Sequence, residues 1–396
     1  MVTGSNNNYD TVIIGGGVIG SAIAYFLSAM QDGKTRIAVI EKDPAYEFGS
    51  TGRSAGGIRQ QFSTPENIRI SQFSIDFLRN ITEYLSVDGT RVDIDLKENG
   101  YLFLAQDAQI PILYNNHTIQ SREGVPVALL DPDDLARAYP WMNVSDLAGG
   151  SIGLEGEGWL DAYGLNQAFR RKAIHQGVTY LKDEAIGLER EGNRVTSVQL
   201  LEGRRLSAGT VINAAGVHAA TVAKWAGIDL AVRPRKRFVY SFSCRTDIGK
   251  CPLTIDPSGV YFRPEGHQFI SGCSPSPEND PDCLDFDVDY SWFEEHVWPV
   301  LAHRVPAFEA IKMEGAWAGH YAYNLLDQNA VLGFHPDISN LVFANGFSGH
   351  GLQQSPAVGR AIAELVTHGR YQTLDLETFS FQRMIDGIAR PEINVV

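Results

Sequence analysis

A strand-like run at residues 10–14 leads directly into Gly15-Gly16-Gly17-Val18-Ile19-Gly20, and an apolar stretch at 21–30 follows. No other feature restricts this chain as strongly. In Gly15-x-Gly17-x-x-Gly20 the first glycine permits a tight turn, the second lets a pyrophosphate approach the backbone, and the third lets helix pack on strand. Val18 and Ile19 then fall in the first turn of a helix, where free N–H groups and a partial positive charge meet phosphate. A second strand-like run at 36–40 ends at Glu41, which follows Gly20 by 21 residues and precedes Lys42. A carboxylate there accepts hydrogen bonds from a ribose diol and repels a 2′-phosphate. The glycines alone fit a plain structural turn; with strand, helix and acid in place they point to a dinucleotide.

Two more strand–loop–helix units follow. At 210–227, Val211-Ile212 reads as a strand, Ala214-Ala215-Gly216 as a tight turn and 219–226 as a helix. At 341–369, a strand at 341–344 runs into Gly346-Phe347-Ser348-Gly349-His350-Gly351, followed by Leu352 and by Ser355-Pro356, which read as an N-cap and first-turn proline. Ala357, Val358, Ala361, Ile362, Leu365 and Val366 then make one apolar face. A nicotinamide cofactor needs only one glycine-rich element for its pyrophosphate. A reduced flavin carries negative charge near its pyrimidine ring, which a second helix N-terminus would stabilise. Two loops for two ends of a long cofactor favour FAD; an NAD-linked dehydrogenase of a hydroxy acid is the rival reading.

With 396 residues the chain suggests two domains, and 44% hydrophobic residues allow large cores. A net charge of −14 argues against nucleic acid and against an anionic membrane surface. No apolar run is long enough for a membrane span, and residues 1–8, polar and without an apolar core region, read as a frayed end rather than a signal peptide. Cys244, Cys251, Cys273 and Cys283 form no CxxC pair and read as reduced thiols of a cytoplasmic protein. Their spacing, even with His267, matches no zinc pattern, so no metal is expected. Residues 178–206 alternate like a β-meander, and the acidic stretch 278–289 reads as a solvated loop, or alternatively a lid.

Five strings carry a resemblance: Gly49-Ser50-Thr51, Gly57-Ile58-Arg59-Gln60-Gln61-Phe62, Asn99-Gly100-Tyr101-Leu102, Trp317-Ala318-Gly319 and the loop 346–351. From about residue 9 to 370 the chain resembles the D-amino-acid oxidase-like FAD enzymes. It is most similar to the branch of monomeric sarcosine oxidase, dimethylglycine dehydrogenase-like proteins and the β subunit of dye-linked L-proline dehydrogenase. A mitochondrial complex I assembly factor of that branch is similar around 57–80 and 153–161. The resemblance implies an α/β fold: a glutathione-reductase-like Rossmann FAD domain with an inserted α+β substrate domain on a mixed sheet. The FAD domain then takes 1–90, 150–230 and 325–396, and the substrate domain 91–149 and 231–324.

The resemblance also assigns residues. Ser50 and Thr51 match the turn near the FAD pyrophosphate, Gly57 opens the next shared string, and Ala185 matches an adenine contact. Arg59 matches an arginine that grips the substrate carboxylate, sensible because a guanidinium forks onto a carboxylate; a surface or interdomain ion pair is the plain alternative. His320 and Tyr321 match positions beside flavin and substrate, with His320 a candidate for the amine proton. Relatives with covalent FAD use a cysteine or histidine where this chain has Gly319, or Gly52, Arg53 and Ser54, so non-covalent FAD is expected. A carboxylate-binding lysine is replaced by Gln353, and a flavin-facing, oxygen-activating lysine by Arg263; both changes point away from sarcosine and from efficient use of O₂. The expected reaction is hydride removal from the carbon α to an amine of a small amino acid. A subunit passing electrons to a partner, and a non-catalytic flavoprotein acting in assembly, remain alternatives.

Overall fold

The first strand, Asn8–Ile14, lies inside an eight-stranded sheet of the computed structural model, which describes residues 7–394. Most of the polar start, residues 1–6, lies outside the described residues; Asn8 already belongs to the strand. Ile338–Asn345, Arg205–Asn213, Asn8–Ile14, Ile37–Glu41 and Thr179–Lys182 run parallel in that order, and Val331–His335 closes one edge antiparallel. The inner parts of Asn8–Ile14, Ile37–Glu41 and Ile338–Asn345 are buried on both faces and read accordingly as continuous apolar runs, whereas the edge strand Thr179–Lys182 is partly exposed. The helices Val18–Met30, Pro65–Arg79, Ala162–His175 and Gly351–His368 cover one face. The helix Ala219–Trp225 packs on the other.

The region read as a meander divides. Thr179–Lys182 pairs with Ile37–Glu41 as part of the parallel sheet, and only Ala185–Glu191 and Arg194–Leu200 form an antiparallel ribbon leading into Arg205–Asn213. The last long helix also begins earlier than Ser355-Pro356 suggests. It starts at Gly351, with His350 as N-cap, and Pro356 lies within it. A proline there leaves the carbonyl four residues back without its N–H partner. Ser355 Oγ fills the gap, donating to Leu352 O at 2.8 Å. The same helix crosses Val18–Met30 at Gly359, where a Cβ would meet the Ala22 Cβ at 2.7 Å.

A second eight-stranded sheet is mixed. Its order is Ile311–Asn324, Val232–Cys244, Gln268–Gly272, Tyr261–Glu265, Leu253–Ile255, Tyr101–Ala105, Gly149–Gly153 and Val127–Leu130. Its far end is fixed by Arg304, 1% exposed, whose guanidinium pairs with Asp256 at 2.8 Å and with both oxygens of Asp146 at 2.9 and 3.0 Å. Among the described residues no helix is long and apolar enough to cross a membrane.

Candidate active site

The carboxyl ends of the parallel strands face the second sheet across a cavity of about 630 Å³. Both glycine loops open on it: Gly15 and Gly17 from one side, 347–351 from the other. Val18, Ile19, Glu41, Lys42, Ser50, Thr51, Gly57, Ala185, Ala215, Gly216 and Leu352 also line it. Gly20 and Gly346 do not line it. Gly20 packs the helix on the turn, since a Cβ there would lie 1.9 Å from Gly15 O. Gly346, at φ +74°, lets the loop turn against Val232 and Asn324.

At the N-terminal turn Gly15 has φ +102°, and a Cβ there would sit 2.4 Å from Ala214 O. Glu41 is more committed than a ribose ligand alone requires. Its Oε2 accepts from Gly16 N and its Oε1 from Asp43 N, each at 2.8 Å. Burial pushes this carboxyl up, against the pull of those two donors. Thr51 Oγ1 accepts from Val18 N at 3.2 Å, which places a hydroxyl at the helix N-terminus. Lys42 Nζ lies 3.3 Å from Glu184 and 3.3 Å from His218 Nε2.

The second loop is clipped to the strand Ile311–Asn324. Ser348 N donates to Ala322 O at 3.0 Å, and Ser348 Oγ accepts from Asn324 N at 2.9 Å. Ser348 and Gly349 both take positive φ. No side chain caps the helix that follows, so its first amides remain available to a negatively charged group. A glycine turn at one end, uncapped amides at the other and one continuous cavity between them fit FAD.

Arg59 sits at the inner end, 3% exposed. Its guanidinium stands 4.6, 5.3 and 5.6 Å from the ring centres of Phe62, Phe103 and Tyr101. Nη2 donates to His350 Nε2 at 3.1 Å and to the backbone oxygen of Asn394; Nη1 is buried without a partner. An arginine donor requires a bare nitrogen on His350. Burial, and then Arg59 itself, hold that imidazole well below its ordinary pKa, so it stays neutral. Tyr321 is close by: its ring would collide with a Cβ on Gly349, 2.7 Å away. Burial pushes the Tyr321 phenol up, and pushes Tyr101 to about 12.

Two expected site residues do not join Arg59. Arg263 does not line the cavity; a buried guanidinium requires acceptors, and it takes Ala55 O at 2.9 and 2.6 Å, Pro264 O at 2.8 Å and the Glu265 carboxylate. His320 does line the cavity but turns toward the acidic stretch, with Nε2 donating to Asp285 O at 2.9 Å and its ring edge-on to Phe286. Burial holds its imidazole below the ordinary value, and its charged neighbours are Asp285, Lys236 and Arg53. The geometry thus unites Arg59, Tyr321 and His350 and separates His320 and Arg263 from them.

Sequence reasoning missed several neighbours. Tyr101 and Tyr261 join Tyr321 around the inner end, and Arg237 stands 5.1 Å from the Tyr321 ring centre while paired with both oxygens of Asp280 at 2.7 and 2.8 Å. The acidic stretch is held by charge: Asp280 and Asp282 meet Arg235, Asp285 meets Lys236, and Leu284 and Phe286 reach the cavity. The signal was available in the basic string 233–237, whose charges match those of 278–289.

Glu157, fully buried, was also missed. Its Oε1 accepts from Gln60 N at 2.6 Å and Gln61 N at 3.0 Å, and its Oε2 from Gln61 Nε2 at 2.7 Å, so it holds the backbone just after Arg59. Burial pushes its pKa from 4.5 to about 7, against those donors and Arg59. A carboxyl with a raised folded-state pKa stabilises fully below its unfolded value, and that stability is lost as pH rises through about 7. The loss is about 3 kcal/mol. Glu157→Gln is therefore expected to flatten the fall in Tm between pH 5 and pH 8; an unchanged slope would mean that another group titrates there.

The comparisons with known proteins agree with this geometry. Residues 10–365 match the family model of FAD dependent oxidoreductases, DAO. FAD-dependent oxidoreductase domain-containing protein 1 of Xenopus laevis is 46% identical over 98% of this chain and 85% of its own length. Among solved structures, L-proline dehydrogenase from P. horikoshii superposes with a TM-score of 0.86 at 28% identity, covering 97% of this chain and 99% of that one. Glycine oxidase from Geobacillus kaustophilus gives 0.82 at 25% identity, covering 95% and 99%. A chain with this sheet, these two loops on one cavity and a family match across nearly its whole length is a member of the DAO family of FAD-dependent oxidoreductases.

Proposed function

We propose that the protein oxidises the C–N bond of a small amino acid, preferentially one with a secondary amine of proline-like, N-methyl or opine-like form. One observation carries this reading: a buried arginine with an unpartnered Nη1 stands at the inner end of the FAD cavity among aromatic rings. A carboxylate satisfies that charge, and the apolar surroundings strengthen the pairing. Two structurally similar proteins are an L-proline dehydrogenase and a glycine oxidase, which supports an amino-acid substrate. In this reading the first sheet belongs to the FAD domain and the second to the substrate domain.

Bound FAD supplies the two-electron acceptor, taking hydride from the carbon α to the amine. The chain's residues anchor, orient and dry the site. Arg59 fixes the carboxylate, and Tyr101, Tyr261 and Tyr321 border the space beside it. Their phenols stay protonated because burial raises all three. His350 stays neutral with its Nε2 committed to Arg59. The amine therefore reacts as the free base, favoured by the Arg59 charge, and kcat/KM rises with pH up to the substrate amine's own pKa.

Gly319 and Gly52 offer no nucleophile to the flavin, which supports non-covalent FAD; acid precipitation is expected to leave the yellow colour in solution. Arg263 is turned onto Ala55 and Glu265 and supplies no free cation to the cavity, which favours an electron acceptor other than O₂. The test is anaerobic mixing of the yellow protein with proline, sarcosine, N-methyl amino acids and opines. Bleaching by one of them, with turnover restored by an artificial dye, is expected. A flavin that none of them reduces would favour the non-catalytic assembly reading instead.

A further inference from the structure

The carboxylate anchor carries an occupant from its own chain. Arg59 Nη2 has two hydrogens; one meets His350 Nε2 and the other the backbone oxygen of Asn394. A carboxylate forking across Nη1 and Nη2 needs an Nη2 hydrogen, and both are already taken.

The segment 390–394 is stitched in place. Glu392, 3% exposed, accepts from Ser63 N at 2.8 Å, Ser63 Oγ at 2.6 Å, Thr64 Oγ1 at 3.1 Å and Asn67 Nδ2 at 3.1 Å. Ile393 N donates to Ser63 Oγ at 3.1 Å, and Asn394 Nδ2 to Gln61 O at 2.8 Å. These partners all lie in 61–67, directly after Arg59. The same short stretch thus presents the anchor and holds the segment that covers it. Upstream, Arg390 is tied separately to Asp327 and Asn329, so 391–394 can lift while Arg390 stays.

We propose that residues 391–394 determine substrate affinity by occupying one arm of Arg59 and giving it up to the incoming carboxylate. The exchange swaps one acceptor for another on the same nitrogen, and affinity is lowered by the work of lifting the segment. This rests on Arg59 being the carboxylate anchor.

The probe is acetate, followed through the change it causes in the flavin visible spectrum, with KM for the reducing amino acid as a second readout. Three variants are compared with the full chain: one ending after Arg390, Glu392→Ala in the otherwise complete chain, and Arg59→Ala. Loss of the segment, or of its stitch, is expected to tighten acetate and lower KM by about fivefold to tenfold, the worth of one hydrogen bond. If the shortened chain fails to retain flavin, Glu392→Ala decides. Unchanged or weaker acetate binding in variants that keep their flavin would overturn the proposal. If acetate binds the full chain no better than Arg59→Ala, the anchor assignment itself fails. If binding needs Arg59 but ignores the segment, only the present proposal does.

Discussion

Arg59→Ala is expected to raise KM for the reducing amino acid by about a hundredfold while FAD content stays near that of the wild type. Truncating one partner of a buried, hydrogen-bonded charge pair typically costs 2–5 kcal/mol, and the lower half of that range already gives such a factor. FAD is expected to survive because none of the hydrogen bonds of the Arg59 guanidinium goes to the dinucleotide turn; they go to His350 and the segment at Asn394. The flavin spectrum should shift modestly as His350 loses its donor. Arg59→Lys is the informative companion, since an ammonium supplies charge without the planar fork. It should recover part of the affinity, about tenfold of the hundredfold lost. A KM within twofold of wild type in the alanine variant would place the anchor elsewhere. Loss of FAD in both variants would make Arg59 a cofactor residue.

The parts of this molecule that were legible in its sequence are those fixed by local backbone chemistry. The turn 15–20 announces itself because only glycine tolerates φ +102° at residue 15 with Ala214 O so near, or a carbonyl 1.9 Å from a would-be Cβ at residue 20. The loop 346–351 was legible for the same reason. Its helix start was not: a proline after serine resembles an N-cap, and only the Ser355 Oγ bond to Leu352 O explains why the proline lies inside. The direction of a side chain is set by what the rest of the fold brings opposite it. His320 and Tyr321 are adjacent on one strand and diverge, one toward Asp285 and one toward Gly349. Arg263 fills an interior demand for acceptors at Ala55 that no local pattern records. Glu157 and Glu392 lie 96 and 329 positions from partners they hold, and nothing in a single sequence pairs them. The match between basic 233–237 and acidic 278–289 was visible as composition but not as contact.

Gly20→Ala and Gly17→Ala are expected to fail in different ways, though both remove a glycine of one motif. At Gly20 the new methyl would lie 1.9 Å from Gly15 O and 3.3 Å from a methyl of Ile13. The first neighbour is backbone, in a turn already fixed by Gly15 N bonding Ile40 O at 3.0 Å, and cannot step aside. The helix Val18–Met30 must move off the strand Asn8–Ile14, at a cost of about 3 kcal/mol or more. Its first amides, Thr51 and Glu41 then lose their register. The expected product is colourless, with a lowered Tm that added FAD does not restore. At Gly17 the nearest protein atom to a new Cβ is Thr51 Oγ1 at 3.4 Å, an ordinary contact, and φ is −62°, which any residue adopts. The apoprotein should therefore melt as the wild-type apoprotein does. Its defect appears only when a pyrophosphate requires the space beside the backbone, as a loss of about tenfold or more in FAD affinity. If Gly17→Ala bound FAD as tightly as wild type, the dinucleotide would not pass over this turn. If Gly20→Ala were yellow with an unshifted Tm, strand and helix would have to pack less closely than 1.9 Å implies.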